Sequence, residues 1–206
     1  MILQTHPVGM IQANCYILGD EQTREAVVID PGGDVPVIVR SLAAAGLKTV
    51  AILATHGHFD HVEGLAQLKK AVGAPVHMHR DDLPLVQNMS NQGAMFGVQV
   101  QQAPDPDHYV VEGDTIVFGG LQLEVLHTPG HSLGSVCYHI DDHVFVGDLL
   151  FAGSIGRTDL SGGDYATLLR SVREKIFTLG DATTVYPGHG PATTVGVEKR
   201  TNPFFQ

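Results

Sequence analysis

Positions 55 to 61 read Thr55-His56-Gly57-His58-Phe59-Asp60-His61, so three histidines and one aspartate fall within six positions. The apolar run 50–54 before this stretch predicts a buried strand, and apolar residues at 62, 65, 68 and 72 after it predict one helix face. The cluster therefore lies between a strand end and a helix start, where α/β proteins carry their chemistry. Neutral imidazole and carboxylate are ligands for divalent ions such as zinc, iron or manganese. The stretch predicts a metal site.

Histidine or aspartate follows an apolar strand at three later points in the chain. Strand 121–126 leads to His127 and His131, strand 143–146 leads to Asp148, and strand 184–186 leads to His189. A proline and a glycine between His127 and His131 exclude a helical pair. His131 is therefore the better ligand candidate, and His127 is expected to end the strand as a core residue or as support for a ligand. Because strand ends meet at one sheet edge, these side chains are expected to join the first cluster.

Three other features leave two interpretations open. Asp30 ends a strand before a Pro-Gly turn, where it either orients a ligand histidine or simply makes the turn. His77 and His79 alternate with apolar neighbours, and we interpret them as strand-surface histidines rather than a metal pair. Residues from about 83 to 107, rich in Gln and Met, form either a cover over a substrate cleft or an insertion packed on the surface.

Composition narrows the classes of function. The chain has 206 residues, 43% of them hydrophobic, which fits a single domain over 1–206. A net charge of −10 without a Lys/Arg block argues against a nucleic-acid partner. No apolar run is long enough for a bilayer, and the first residues do not resemble a signal peptide, so we expect a cytoplasmic protein with no membrane partner. Cys15 and Cys137 lie in apolar stretches and are expected to be buried thiols.

The candidate ligands, taken in chain order, resemble the dinuclear site of the metallo-β-lactamase superfamily. They are His56, His58, Asp60, His61, His131, Asp148 and His189. Within that superfamily the chain is most similar to short, single-domain bacterial hydrolases of the glyoxalase II (hydroxyacylglutathione hydrolase-like) type. Three segments carry this closer resemblance: Asn14-Cys15-Tyr16, Gly156-Arg157-Thr158-Asp159 and Asn202-Pro203-Phe204.

The resemblance implies an α/β fold, a four-layer αββα sandwich, and two divalent metal ions, zinc first and iron or manganese as alternatives. It implies that His56, His58 and His131 hold one ion. Asp60, His61 and His189 would hold the other. Asp148 would bridge the two, and Asp60 and Asp148 would be the catalytic carboxylates. A hydroxide between the ions would attack a thioester such as S-lactoylglutathione, since bound ions lower the pKa of water.

The resemblance implies fewer residues for substrate binding than for metal binding. Arg157 matches the family's basic residue after the bridging aspartate, and it would pair either with a substrate carboxylate or with Asp159. The family's substrate-contacting tyrosine corresponds to Pro191. Longer relatives bind glutathione partly through a C-terminal helical domain, for which we expect no room in this chain. The expected partner is a small-molecule thioester, and the expected state is a monomer or a homodimer.

Other activities compete with thioester hydrolysis. Persulfide dioxygenases share the fold and use a single iron at positions corresponding to His56, His131 and Asp148. β-Lactams and lactones are alternative substrates for the same hydroxide. A non-catalytic scaffold ranks last, because all seven ligand positions are filled.

Overall fold

The computed structural model describes residues 1–206, and its first sheet has six strands in chain order. They are Ile2–Val8 (β1), Ala13–Gly19 (β2), Glu25–Ile29 (β3), Lys48–Leu53 (β4), Val76–His79 (β5) and His108–Val110 (β6). The first three strands pair antiparallel, and β3 to β6 pair parallel. Parallel neighbours need crossover connections, which helices provide here.

The second sheet also has six strands, and a small hairpin lies beside it. The strands of this half are Thr115–Phe118 (β7), Leu121–His127 (β8), Val136–Ile140 (β9), His143–Gly147 (β10), Leu150–Phe151 (β11), Ser154–Ile155 (β12), Thr184–Pro187 (β13) and Thr193–Thr194 (β14). The order in the sheet is β14, β13, β10, β9, β8, β7, and only β10 and β13 pair parallel. β11 and β12 form the separate hairpin.

The structure has seven α-helices, six of them between strands and the last after β14. They are Val35–Ala44 (α1), Phe59–Val62 (α2), Leu65–Val72 (α3), Leu83–Gln87 (α4), Met89–Met95 (α5), Tyr165–Ser171 (α6) and Val195–Thr201 (α7). A 3₁₀ turn over Arg80–Asp82 precedes α4, and a π-helical turn over Val172–Ile176 extends α6. No helix of the structure has both the length and the apolar composition that a bilayer crossing requires.

The two large sheets pack face to face around a shared core. Tyr16 and Leu18 of β2 point into it, and Tyr138 of β9 and Phe145 of β10 meet them from the second sheet. Successive side chains of a strand point to opposite faces, so the residues between these face outward. All seven residues of β2 are buried, because that strand is covered on both faces.

Helices cover the outer face of each sheet. On the first sheet, Ile17 of β2 packs in one cluster with Ile38 of α1 and Leu68 of α3. On the second, Val144 of β10 packs with Leu168 of α6. The layers therefore follow the order helix, sheet, sheet, helix, which confirms the predicted α/β sandwich.

The helix expected over 62–72 is interrupted. Helix α2 ends at Val62, and α3 begins again at Leu65. The amide of Gly64 donates to the carbonyl oxygen of Pro31 at 2.8 Å, and a β-carbon at Gly64 would collide with that oxygen. The apolar periodicity is kept on both sides of the break, so the pattern did not reveal it.

Two terminal elements were not predicted. Strand β1 is an edge strand that contains Pro7 and has few fully buried residues, so its pattern is weak. Helix α7 has only seven residues. Both cysteines are buried and free, as the apolar context of each predicted.

Candidate metal centre

The ends of four strands meet at one edge of the sandwich, and each carries candidate ligands. The stretch 55–61 follows β4, and His58 immediately precedes α2, which carries Asp60 and His61. His131 lies four residues beyond β8, Asp148 directly follows β10, and His189 lies two residues beyond β13. The structure brings all seven predicted side chains together in two adjacent groups.

The first group consists of His56, His58 and His131, all of them buried. Nδ1 of His58 lies 2.8 Å from Nε2 of His131. The ring of His56 lies 4.8 Å from that of His58 and 4.7 Å from that of His131, measured between centroids. Three imidazoles thus surround one small volume, an arrangement typical of a metal site.

The second group consists of Asp60, His61, Asp148 and His189. Oδ2 of Asp60 lies 3.1 Å from Nε2 of His189 and 3.3 Å from Nε2 of His61. Mixed imidazole and carboxylate sites of this kind accept zinc, iron or manganese.

Asp148 connects the two groups. Its Oδ1 lies 3.4 Å from Nε2 of His61, and its Oδ2 lies 3.7 Å from Nε2 of both His131 and His189. One carboxylate therefore faces ligand atoms of both groups, which is the geometry that a bridging ligand needs.

Three buried polar atoms at this point have no hydrogen-bond partner within the protein: Nε2 of His56, Nε2 of His61 and Oδ1 of Asp148. Buried polar atoms are nearly always paired, and an unpaired one costs stability. Because each of these atoms belongs to one of the two ligand groups, divalent cations would satisfy them together. The residues present fit a pair of metal ions.

Burial and neighbouring charges set the protonation of the ligands. Burial lowers the pKa of His58 to about 3, and repulsion from His131 adds to it, so the ring is neutral. Burial and repulsion from His61 likewise hold the pKa of His56 well below its ordinary value. Neutral imidazole is the form that coordinates metal. His56 and His58 are therefore already in the form that binds an ion.

In the second group, the charges of carboxylates and histidines offset one another. Burial would raise the pKa of Asp60 and of Asp148, but the charges and hydrogen bonds of the surrounding histidines, His61 foremost, together outweigh burial and lower both, so both carboxylates are ionised. Burial would lower the pKa of His61, but attraction by Asp60 and Asp148 outweighs burial and raises it well above the ordinary value. Without a metal ion, a proton on His61 partly neutralises this group.

Asp30 orients two of the histidines, as one of the two interpretations of its turn position predicted. Its Oδ2 lies 2.9 Å from Nδ1 of His61 and accepts a bond from Oγ1 of Thr55 at 2.7 Å. Oγ1 of Thr55 in turn lies 3.0 Å from Nδ1 of His56. With Nδ1 engaged on both rings, each histidine presents Nε2 to the metal groups.

Asp82 was missed in the sequence, although it is fully buried beside the site. Its Oδ2 accepts bonds from the amide of Gly57 at 2.8 Å and from Oγ of Ser132 at 2.6 Å, and its Oδ1 accepts from the amide of Gly134 at 2.7 Å. One carboxylate therefore ties the loop that carries His56 and His58 to the loop that carries His131. Asp82 lies shortly after β5, so it follows a strand end as the predicted ligands do, and this pattern could have identified it in the sequence.

Other histidines of the sequence lie outside the two groups. His127 ends β8, as expected; its Nε2 lies 2.9 Å from the carbonyl oxygen of Leu133, and its ring stacks on that of His79 at 4.3 Å. His77 packs against His108 rather than beside His79. His79 is buried, not solvated as a strand-surface residue would be.

A cavity of about 350 Å³ opens over the metal groups. Its lining includes His58, Asp60, His131, Asp148 and His189. The segment 83–107 contributes part of the wall through α4 and α5, while Met89 and Ala103 are packed into the core. The segment therefore forms part of the cavity wall and is anchored in the core, not only packed on the surface.

Arg157 also lines this cavity, paired with Asp159. Its Nε and Nη2 donate to the two oxygens of Asp159 at 2.7 and 2.8 Å. Of the two pairings considered for Arg157, the internal one is present in the structure. The carbonyl oxygen of Arg157 accepts from Nδ1 of His131 at 2.7 Å, so this residue also orients a ligand histidine.

Comparison with known proteins relates the chain to a large group of enzymes. A model of the metallo-beta-lactamase superfamily matches residues 8–189, which include all seven candidate ligands. The chain is 44% identical over 204 residues to the probable metallo-hydrolase YqgX of Bacillus subtilis, with 96% of this chain and 94% of that protein covered. It is 38% identical over 208 residues to hydroxyacylglutathione hydrolase GloC of Haemophilus influenzae, with coverage of 99% and 98%.

Solved structures show the same relationship. The BLEG-1 B3 metallo-beta-lactamase superposes with a TM-score of 0.93 at 38% identity, covering all of both chains. TTHA1623, solved in a di-iron-bound form, gives 0.89 at 40% identity, with coverage of 99% and 100%. ETHE1 from Myxococcus xanthus gives 0.81 at 34% identity, with coverage of 98% and 84%.

Proposed function

The chain belongs to the metallo-beta-lactamase superfamily, and on that premise we propose that it is a metal-dependent hydrolase of thioesters. S-acylglutathiones such as S-lactoylglutathione are the first substrates to test, because a relative with 38% identity carries the name hydroxyacylglutathione hydrolase. The observation that carries the proposal is the position of Asp148, whose two oxygens face ligand atoms of both groups at the floor of one cavity.

The ligand assignment divides the seven side chains between two ions. His56, His58 and His131 hold one ion in this proposal, and Asp60, His61 and His189 hold the other. Asp148 belongs to both. Zinc is the expected metal, and iron is the alternative that the di-iron form of TTHA1623 supports. Two ions would also satisfy the three buried ligand atoms that lack partners.

Two bound ions supply a water of lowered pKa and a positive field over the substrate carbonyl. The protein side chains position the water and the two metal groups. Asp60 lines the cavity and is ionised, so it can accept a hydrogen bond from a water at the floor and direct that water toward the carbonyl. Asp148 holds the two groups at a fixed separation. The buried floor excludes bulk water and strengthens both effects.

The side chains that line the cavity suit a substrate with a thiolate leaving group. A thiolate departs without protonation by a dedicated acid, and the carboxylates in the lining are either ionised ligand candidates or paired with Arg157. An ester with a poor alkoxide leaving group would depend more strongly on an acid. Thioesters are therefore the better match among carbonyl substrates.

A β-lactam is the second candidate substrate, favoured by the BLEG-1 likeness. Opening of a strained lactam uses the same water and the same carbonyl polarisation. It differs in its leaving nitrogen, which requires a proton. Turnover of a chromogenic cephalosporin alongside the thioester would rank the two.

The test is turnover by metal-loaded protein of S-lactoylglutathione, followed through the released thiol. We expect thioester hydrolysis that chelation abolishes and that added zinc or iron restores. Oxygen uptake with glutathione persulfide, together with a single iron per chain, would replace this proposal by the dioxygenase reaction. Faster turnover of the cephalosporin than of any thioester would replace it by lactam hydrolysis.

A further inference from the structure

The cavity over the metal groups has an apolar wall that the proposed hydrolysis does not use. The wall consists of Ile11, Phe59, Leu85, Met95, Phe96 and Leu160. Three of these side chains are strongly exposed: Met95 is 75%, Phe96 48% and Ile11 42% accessible. Single exposed apolar residues are common on protein surfaces, but their convergence on one cavity marks a ligand contact.

The wall is fixed to the loop that carries the metal ligands. The rings of Phe59 and Phe96 pack with their centroids 5.4 Å apart, and Phe59 directly precedes Asp60. The Gln92 side chain donates to the carbonyl oxygen of Leu85 at 2.7 Å and accepts from the amide of Phe59 at 3.1 Å. Helices α2, α4 and α5 are thus held together beside the reacting centre.

Two of the exposed residues, Met95 and Phe96, lie at the end of a packed helix, α5. Met89, at the start of α5, is fully buried, and a β-carbon at Gly93 would lie only 2.8 Å from Cγ1 of Val100. The inner side of α5 is therefore closely packed. Met95 and Phe96 face the cavity because this packing turns that end of the helix outward.

Apart from the metal ions proposed at its floor, the lining offers no unpaired lysine or arginine to a substrate. Arg157 is the only lysine or arginine in the lining, and its Nε and Nη2 both donate to Asp159. The remaining charged oxygens, on Asp60 and Asp148, face the metal groups. A second carboxylate on the acyl group would therefore leave water without a cationic side chain to pair with, which is costly.

We propose that this wall binds the acyl half of the substrate and that the preferred substrates are thioesters of uncharged aliphatic acids, such as butyryl and hexanoyl thioesters, rather than lactoyl or dicarboxylic ones. The inference rests on the proposed thioester hydrolysis. The acyl half is assigned to the wall because the departing sulphur gains negative charge, which an apolar surface destabilises. The neutral chain beside the carbonyl carries no such penalty.

The experiment compares kcat/KM for acetyl, butyryl and hexanoyl thioesters of glutathione and of the uncharged thiol N-acetylcysteamine. We expect kcat/KM to rise roughly two- to fourfold for each added methylene, mainly through KM, because each methylene leaves water. The rise should be equal on both thiols if the acyl half occupies the wall. Adipoyl, with six carbons and a second carboxylate, should fall below hexanoyl by at least tenfold.

A double variant, Met95→Ala with Phe96→Ala, tests the wall itself. We expect it to flatten the chain-length series, so that the hexanoyl to acetyl ratio falls by about fivefold or more, in line with the lost apolar contact. Val117→Ala is the matched control, because Val117 is 59% exposed on β7 and lies outside the cavity lining. Titration calorimetry of the product acids gives a readout without turnover: hexanoate should bind more tightly than acetate, and the double variant should lose that difference.

The outcomes separate this inference from the hydrolase proposal. If no thioester is turned over, the proposed function is wrong. If all are turned over but kcat/KM is flat or falls from acetyl to hexanoyl, or adipoyl matches hexanoyl, the function stands and the wall assignment is overturned. A rise that the double variant keeps in full would also overturn it.

Discussion

Oδ2 of Asp30 lies 2.9 Å from Nδ1 of His61, although 31 positions separate the two residues in the chain. Asp30 adopts a left-handed backbone conformation with φ 52° at the end of β3, and this turn carries its carboxylate beneath the cluster that follows β4. The bond fixes the ring so that Nε2 points to the metal groups. Asp30 would bind no metal ion itself, but this hydrogen bond makes its carboxylate part of the site.

Asp30→Asn should weaken metal binding without removing a ligand. The carboxylate accepts from the Thr55 amide through Oδ1 and binds Thr55 Oγ1 and His61 Nδ1 through Oδ2. The asparagine side chain has only one acceptor oxygen, so one of these two sides loses its acceptor and the turn that holds His61 shifts. Loss of such a supporting bond typically costs about 10–100-fold in metal affinity. Competition with a chromogenic zinc chelator measures the change. Asp34→Asn is the matched control: Asp34 is exposed and bonds only to the Gly9 amide, so an equal loss there would contradict the role of Asp30.

Asp82→Asn should destabilise the fold around the two metal loops. Whichever way the amide is turned, its NH₂ group faces the amide of Gly57 or of Gly134, which loses its acceptor. A buried donor left unpaired costs roughly 1–3 kcal/mol. Urea unfolding in the presence of a chelator measures this loss. The neighbouring Asp81 is more than half exposed, so Asp81→Asn should leave the unfolding free energy nearly unchanged. Equal stability of wild type and Asp82→Asn would refute the role given to Asp82.

Metal binding should release protons near neutral pH, and the second group should be their source. The pKa of His61 is raised by Asp60 and Asp148, so in metal-free protein this ring is protonated at pH 7, and a cation must displace that proton. The pKa values of His56 and His58 are lowered, so these two rings release none. Affinity of the second site should therefore fall as pH falls and level off above the pKa of His61.

Calorimetry in buffers of different ionisation enthalpy counts these protons. We expect proton release to accompany binding of the second ion, from His61 and also from His189, whose pKa is raised, against burial, by the hydrogen bond to Asp60. Binding of both ions without proton release at pH 7 would show that His61 is neutral before the metal arrives.

Gly188→Ala should damage the site while leaving most of the fold intact. A β-carbon there would collide with Oδ1 of Asp148 and lie 2.7 Å from Cε1 of His61. Displacing the carboxylate disturbs both metal groups, and a misplacement of about 1 Å costs roughly 100-fold in kcat/KM. At Gly180 the nearest atom to an added β-carbon is 3.8 Å away, so Gly180→Ala is the control. Full activity in Gly188→Ala would place the reacting centre elsewhere.

The candidate ligands were predictable because local sequence encodes them. Each histidine or aspartate follows an apolar strand, and the ends of neighbouring strands in a sheet lie together. The four-layer order followed from the alternation of strands and helices together with the family resemblance. The assignment of the seven residues to two ions stays a prediction, as do the single domain and the oligomeric state.

The supports around the ligands were harder to predict. Asp82 joins loops that lie 25 and 50 positions away from it in the chain, and no local pattern carries such pairings. The break between α2 and α3 at Gly64 depends on a contact with the backbone of Pro31. The hydrogen bond between Gln92 and the Phe59 amide depends on how α5 packs against α2. These contacts arise only when distant segments pack. The sequence could indicate that 83–107 differs from the rest, but not which of its side chains reach the cavity.

Asp148 is the residue on which the proposed pair of metal ions depends most, because one carboxylate must serve both. The direct measurement is the metal content of purified wild-type protein and of Asp148→Ala, by elemental analysis after reconstitution with zinc or iron. We predict about two ions per chain in the wild type, as in two-metal hydrolytic sites, and loss of at least one ion together with activity in Asp148→Ala. A wild type that binds a single ion, or an Asp148→Ala variant that keeps both ions and full activity, would contradict the bridging role.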